Sequence, residues 1–408
     1  MTTPSSSSTS SKLVAGSPAF WRSARGMFAG GFGTFAMLYC LQPLMPQFSQ
    51  AFGVSAAQAS GVVSASTASL ALGLLPASWL ADRVGRKPLM VAALSLSALL
   101  TLGCALASSF GQLLVLRALV GLALAGLPAT AMAYLAEEME PASLGRVMGL
   151  YVGGNALGGM GGRLLAALVV ERYSWRVALV LIGVLGVLTA LVFWRNLAPS
   201  RHFRPLRGSL GGMWRDARAH AGDAGLPWLF FTSFALMGCF VSVYNYLGYR
   251  LAAPPYSLSP GTIGLVFALY MVGSLASAWG GRLSDRLGRR NVLWLTQCIV
   301  LTGLGLTLAV PLVAIVAGLT LCTVGFFAGH SVASSWVGLR ARQGRALASA
   351  LYLACYYLGG SIVGSASGVA FGMYGWHGVI GLLALVQLAA LAAALRLRQV
   401  QPLPRPPS

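Results

Sequence analysis

Acidic residues are scarce in this sequence: eight Asp and Glu stand among 408 residues, beside 28 Lys and Arg. Charged residues of all kinds reach only 9%, where a soluble domain carries about a quarter. That scarcity argues against a water-soluble fold. The six cysteines form no C-x-x-C pair, and each lies inside an apolar run. A disulfide framework is excluded, and they read as small packing residues. No nucleophile–base pair, metal-ligand cluster or phosphate-binding loop occurs. An enzyme and an ATP-driven pump are therefore disfavoured, and no metal or cofactor is expected. Residues 1–20, rich in Ser and Thr, lack the apolar core and cleavage site of a signal peptide.

Apolar length is what the chain has in abundance. Hydrophobic residues make up 57%, and stretches of about 20 residues, enough to cross a ~30 Å hydrocarbon layer, recur almost throughout. We place spans at 26–48, 59–81, 88–109, 112–134, 145–170, 175–195, 226–249, 260–281, 291–310, 312–336, 345–371 and 376–395. The chain then divides into a disordered cytoplasmic N-terminus (1–25), a six-helix bundle (26–195), a cytoplasmic linker (196–225), a second six-helix bundle (226–396) and a cytoplasmic tail (397–408). With the N-terminus inside, 23 of the 28 cations fall in cytoplasmic segments. That is the positive-inside bias of a multi-pass inner-membrane protein with both termini cytoplasmic. Topology thus accounts for the formal charge of +20, and no nucleic-acid motif competes. The basic linker is expected to lie near anionic lipid headgroups.

The two halves repeat each other. "WLADRVGRKPLM" (79–90) returns as "RLSDRLGRRNVL" (282–293), with Leu80, Asp82, Arg83, Gly85 and Arg86 opposite Leu283, Asp285, Arg286, Gly288 and Arg289. Further along, Tyr151, Gly158, Gly159 and Trp175 match Tyr352, Gly359, Gly360 and Trp376 in the same order. In the charged loop, Gly85 and Gly288 permit the tight turn between antiparallel spans. Pro88 suits the first turn of the next helix. The cations hold the loop at the membrane surface, and the aspartates can accept hydrogen bonds from neighbouring arginines.

A duplicated six-span unit with D-R-x-G-R-[KR] between its second and third spans resembles the major facilitator superfamily, in its drug- and sugar-efflux-like branch. The resemblance covers residues 26–396. It implies an all-α membrane protein of 12 transmembrane helices in two pseudo-symmetric six-helix bundles, with a substrate site between them near the bilayer midplane. It also implies that Asp82, Arg83, Gly85 and Arg86, with Asp285, Arg286, Gly288 and Arg289, latch the cytoplasmic side shut in the outward-open state. The first copy departs from the signature at Ser78, where the second keeps the leading glycine as Gly281.

Within the spans, Arg117 and Gly121 resemble an R-x-x-x-G pattern of the fourth span. Arg117 reads either as a cavity-facing cation for substrate or coupling, or as an arginine snorkelling to the nearby surface. Gly154, Gly158 and Gly159 resemble an antiporter pattern in the fifth span, with Asn155 where that pattern has proline. These glycines, like Gly359 and Gly360, read as close-packing positions, and Asn155 as a polar contact to the cavity. Arg163 is expected to be neutralised by Glu171. Tyr244, Asn245, Tyr270, His330, Tyr356 and Tyr357 complete the candidate substrate and coupling set. None of the eight carboxylates falls in mid-membrane, which leaves His330 as the titratable group deep in a span. It also favours anionic or neutral substrates over cations.

The function expected is secondary active transport of a small organic solute by alternating access, as proton-coupled efflux. An uncoupled facilitator or organic-anion exchanger stands beside it. A non-transporting membrane sensor would need a larger cytoplasmic domain than the 30-residue linker. The expected partners are a small-molecule substrate, protons and membrane lipids, for a protein acting as a monomer.

Overall fold

A computed structural model describes residues 12–203, 210–341 and 343–400. Fifteen helices are described: α1 (Pro18–Tyr39), α2 (Met45–Phe52), α3 (Ala56–Val84), α4 (Arg86–Cys104), α5 (Phe110–Leu124), α6 (Pro128–Glu138), α7 (Pro141–Val170), α8 (Trp175–Asn196), α9 (Leu210–Ala221), α10 (Leu226–Ala252), α11 (Pro260–Gly264), α12 (Leu269–Leu287), α13 (Arg289–Leu306), α14 (Leu312–Arg340) and α15 (Arg345–Gln399). Eight stretches are long and apolar enough to cross a bilayer, taking α5–α6 and α11–α12 each as one. Among these eight, α15 is broken at Gly375 (φ 58°, ψ −144°) into two crossings. Adding α1, α7 and α13 gives twelve, six on each side of α9.

Local chemistry sets the ends. The chain at Gly85, Glu140, 197–203, 222–225, Gly288, Gly344 and Val400 shares one side of the bundle, called here the linker face. On the opposite, far face, Ser55, Ser109, Ser174 and Ser259 each cap a helix start through a side-chain oxygen, satisfying donors that the first turn leaves open. On the linker face, α4 and α13 begin instead at Gly85 (φ 90°) and Gly288 (φ 82°), the left-handed region that glycine enters without strain.

Several boundaries differ from those expected of the sequence. The first helix starts at Pro18, because Ser17 caps it and Pro18 occupies its first turn; Arg22 and Arg25 had obscured that start. Before it, Leu13 pairs with the chain at Met139, with Leu13 N–H donating to Glu138 O at 2.9 Å and Glu140 N–H to Leu13 O at 3.0 Å. Residues 12–25 are therefore ordered, while 1–11 lie outside the described residues. The linker contains the helix α9, and α15 continues to Gln399; most of the expected tail, 401–408, lies outside the described residues.

The repeat is visible in the packing. A Cβ on Gly158 of α7 would stand 2.1 Å from Phe32 O of α1, and one on Gly359 of α15 would stand 2.0 Å from Phe234 O of α10. Both halves thus press their first and fifth crossings together backbone to backbone at the same place. In the same seam a Cβ on Gly154 would stand 2.4 Å from Phe28 O, and one on Gly121 of α5 would stand 1.9 Å from Ser66 O of α3. Gly159 and Gly360 are looser, with first contacts at 3.2 and 3.3 Å, both to side chains.

The first crossing is interrupted where Pro43 and Pro46 follow Tyr39. Pro43 has no N–H to donate to the carbonyl four residues back, and its ring crowds that carbonyl. A short 3-10 turn, Gln42–Leu44, links α1 to α2. The interruption frees carbonyls at the end of α1, and Arg117 collects them. Its Nη1 donates to Met37 O at 3.0 Å, its Nη2 to Leu38 O at 2.5 Å and its Nε to Val62 O of α3 at 3.2 Å. Arg117 is fully buried. It neither snorkels nor faces a cavity: all three nitrogens are spent on the wall of the first half. In this structure Arg117 does not take the position expected of a cavity-facing substrate or coupling group.

Two outcomes follow. Gly158→Ala is expected to lower stability by about 1–3 kcal/mol through overpacking, while Gly153→Ala, where a Cβ meets nothing within 4 Å, should stay within about 0.5 kcal/mol; thermal unfolding of the two purified variants checks the contrast. Arg117→Met removes a donor from three carbonyls and leaves Leu38 O with none among the described residues, since Cys40 still donates to Met37 O and Ser66 to Val62 O; it should cost on the order of 1–3 kcal/mol with little change in solute affinity. A solute affinity lost at unchanged melting temperature would show that Arg117 contacts the solute after all.

Candidate transport site between the two halves

On the linker face, the two charged loops differ. In the first, Arg86 is almost fully buried and donates from Nε and Nη2 to the two oxygens of Glu137 at 2.8 and 2.7 Å. Asp82 lies 3.8 Å away from the same guanidinium, and Arg83 stacks over Trp79 at 3.6 Å. Lys87 Nζ ties the loop to the start of the linker through Leu197 O. In the second loop, Asp285 is 73% exposed and stands 3.7 Å from Arg289, whose Nε reaches only Ser335 at 3.4 Å. The end of α14 offers no carboxylate there; it carries Arg340, which donates to Asp223 at the start of α10. Burial alone would raise the Asp223 pKa. The hydrogen bonds from Arg340 and from the Gly225 and Leu226 amides outweigh it and hold the carboxyl below its ordinary 3.8. Each of these contacts stays within one half or ties it to the linker.

Contacts between the halves lie elsewhere. Gln42 Nε2 donates to Val241 O at 3.1 Å and to Asn245 Oδ1 at 2.7 Å. Ser49 and Tyr249 share a hydrogen bond of 2.7 Å. Ser64 bonds to Ser361 O at 3.2 Å and to the Ser365 hydroxyl at 2.9 Å, and Ser361 returns a bond to Ser64 O at 2.9 Å. Closer to the far surface, Ala57 packs under Gly368, and Ala167 and Glu171 under Gly264 and Gly261. Ser64 lies eight residues into α3 and Val241 eleven residues from the far end of α10, roughly 12 and 16 Å at 1.5 Å per residue. Apolar packing agrees: one buried cluster runs through both halves, while Leu226, Val292, Val332, Ala348 and Leu397 form a separate one at the linker end of the second half. The halves are joined from the far face to mid-depth.

At the blind end of that junction sits Arg163, 2% exposed and roughly 10 Å in from the end of α7. Its Nε donates to Gln42 Oε1 at 2.5 Å and its Nη1 to Gly159 O at 2.6 Å. The guanidinium carbon lies 4.3 Å from the Tyr39 ring, 5.0 Å from Tyr270 and 5.5 Å from Phe267. Glu171 does not neutralise it; that carboxylate lies against Gly261. The eight residues from 163 to 171 are about 12 Å of helix, beyond the reach of a side-chain pair. The hydroxyls of Tyr39 and Tyr270 and the Asn155 Oδ1 are buried without a hydrogen-bond partner, as is Asn245 Nδ2.

The remaining candidates line the second half around this point. Tyr244 shares a hydrogen bond of 2.8 Å with Thr323 and stacks on Phe267 at 5.4 Å. Tyr356 meets Tyr357 edge to face at 5.1 Å and His330 at 4.7 Å. The Tyr352 hydroxyl lies 3.0 Å from His330 Nδ1. Tyr39 is in electrostatic reach of Tyr356, Tyr357, Arg163 and Tyr270, and Tyr357 of Tyr151, which neighbours Asn155. Of the residues expected from the sequence, Tyr244, Asn245, Tyr270, Tyr356 and Tyr357 converge, with His330 behind Tyr356, Asn155 beside Gly31 and Tyr151 on the wall of the first half, and Arg117 apart. Gln42, Tyr39 and Arg163 are central and were not among the substrate candidates.

Relatives and solved folds identify the family. The Major Facilitator Superfamily profile matches residues 27–253 and 251–408. The inner membrane transport protein YnfM of Escherichia coli is 43% identical over 361 residues, 88% of this chain and 87% of its own. The MFS-type transporter YybF of Bacillus subtilis is also 43% identical, over 88% and 89% of the two chains. A solved bacterial homologue of the lysosomal transporter Spinster superposes with a TM-score of 0.72 at 17% identity, over 93% of this chain and 95% of its own. A twelve-helix duplicated bundle, the paired charged loops and these matches together make the chain a multi-pass membrane transporter, not an enzyme, of the Major Facilitator Superfamily.

Proposed function

We propose that the protein carries a small organic solute across a bacterial-type inner membrane by alternating access, as a monomer in contact with lipid. The observation that carries the reading is the one-sided junction. A set of buried, partly unsatisfied polar groups lies at its blind end, at a depth where solute held between rocking halves would be handed across. The cation excess of the linker face supports a cytoplasmic placement of that face and of both chain ends. The state described is then the one open to the cytoplasm, the state that collects solute for export.

Two couplings have a specific observation behind them. Proton-coupled efflux would use His330, the one imidazole whose ring borders Tyr356 of the central cluster among the described residues. Solute exchange is favoured by the carboxylates: all eight stand at the ends of crossings, in loops or, for Asp216, in the linker helix α9, away from the cluster, where proton-coupled carriers commonly hold an acid.

Proteoliposomes containing the purified chain, offered a mixed pool of organic acids, neutral metabolites and amines, test both. We expect at least one solute to accumulate several-fold above protein-free vesicles. Accumulation driven by a pH gradient and abolished by His330→Gln selects proton coupling. Accumulation indifferent to pH but driven by the same solute on the far side selects exchange. No accumulation of any solute contradicts the transport reading.

A further inference from the structure

Arg163 and Arg117 are both buried arginines without a carboxylate, and the difference between them is informative. Arg117 has a carbonyl on each of its three nitrogens. Arg163 has two donors committed, one on Nε and one on Nη1, out of the five N–H groups of a guanidinium. No hydrogen bond from its Nη2 is made among the described residues. A buried cation so sparsely satisfied is costly, and the three aromatic faces around it offset only part of that cost. The same place holds two unpartnered phenol hydroxyls, Tyr39 and Tyr270. Each can donate a hydrogen bond, and neither competes for the cation as an acid would. The missing element is an anion that accepts several hydrogen bonds and tolerates aromatic walls.

Resting on the transport reading above, we infer that the site takes a small monocarboxylate with an apolar or aromatic body, bound by Arg163, and that this binding unlatches the far face. A carboxylate docks most strongly on two parallel N–H groups, and here the free Nη2 is paired with Nε. Nε is held by Gln42 Oε1, so side-on docking displaces Gln42. The same Gln42 amide bridges to Val241 and Asn245 in the other half. It sits in the 3-10 turn after α1, where no regular helix fixes its backbone. The solute carboxylate therefore replaces the group that ties the halves together next to it. Arg163 holds either the closure or the solute, so an empty carrier stays shut at the far face and a loaded one is freed to open it.

The test uses the full-length chain in lipid nanodiscs with benzoate, cinnamate and hexanoate, each against its amide and its amine. At least one carboxylate is expected to raise the melting temperature by several degrees, with its amide and amine inactive. Arg163→Gln should weaken that carboxylate at least tenfold, and Arg163→Lys, which keeps the charge but not the fork, should recover little of it. Gln42→Ala removes the competitor and should tighten binding threefold or more. If the two residues were only structural, both substitutions would lower affinity together. The inference is overturned if no carboxylate stabilises the chain, if an amide or amine does so equally, or if Gln42→Ala weakens binding. Should Arg163→Gln fail to fold, the sign of the Gln42→Ala change decides alone. Solute movement in proteoliposomes that ignores Arg163→Gln overturns the carboxylate site and leaves the transport reading intact.

Discussion

The interruption of the first crossing at Pro43 is the constraint on which the rest of the molecule depends. An unbroken helix would have satisfied its own carbonyls and left Arg117 without a function in the wall. Because the helix stops at Tyr39, Arg117 binds Met37 O and Leu38 O from α5, and through Val62 O it fixes α3 to the same point. In a medium without water, free carbonyls and a free guanidinium each cost several kcal/mol, so each is the remedy for the other. The turn that follows then presents Gln42 to both Arg163 and Asn245. One backbone irregularity makes the inner wall of the first half and places the hinge of its contact with the second.

The duplicated unit has diverged where the halves do different work. Both copies keep the glycine turn and the Asp–Arg pair four residues apart, but only the first buries its arginine against a carboxylate from the end of α6. The second leaves Asp285 exposed, and its Arg340 is turned to Asp223 at the entry of α10. In this state the first half therefore carries a charge cluster built on a buried arginine at the linker face, and the second carries a more exposed one. The close-packed seams, by contrast, are nearly identical, because Gly158 and Gly359 each allow two helices to touch backbone to backbone.

Much of this was legible in the sequence. Twelve crossings follow from apolar length, and the duplicated loop announces itself because charge is so rare elsewhere. Glycines at matched offsets predicted the seams. The centre of the site was less legible. Gln42 sits in an apolar run beside a proline and looks like the frayed end of a span. Its importance comes from partners 199 and 203 residues away. Arg163 was visible but was assigned to Glu171, which shares its helix and is out of reach along it. Depth along a helix located Arg117 correctly, yet depth does not say which way a side chain points. Two of the three carbonyls that claim it are offered only because another helix breaks. Ser64, Ser361 and Ser365 gave no signal at all, since serine is common in both spans.

The central claim is that the halves are held at the far face and to mid-depth and are separate at the linker face, with solute shifting that balance. Spin-label distances between Ala51 and Ala253 on the far face, and between Ala142 and Ala346 on the linker face, measure it directly in nanodiscs. The account predicts a narrow, short far-face distribution and a long linker-face one in the empty protein. Adding a stabilising solute should bring in a longer far-face population while the linker-face distance shortens. A short linker-face distance in the empty protein, or two pairs that do not move in opposite directions, would contradict it.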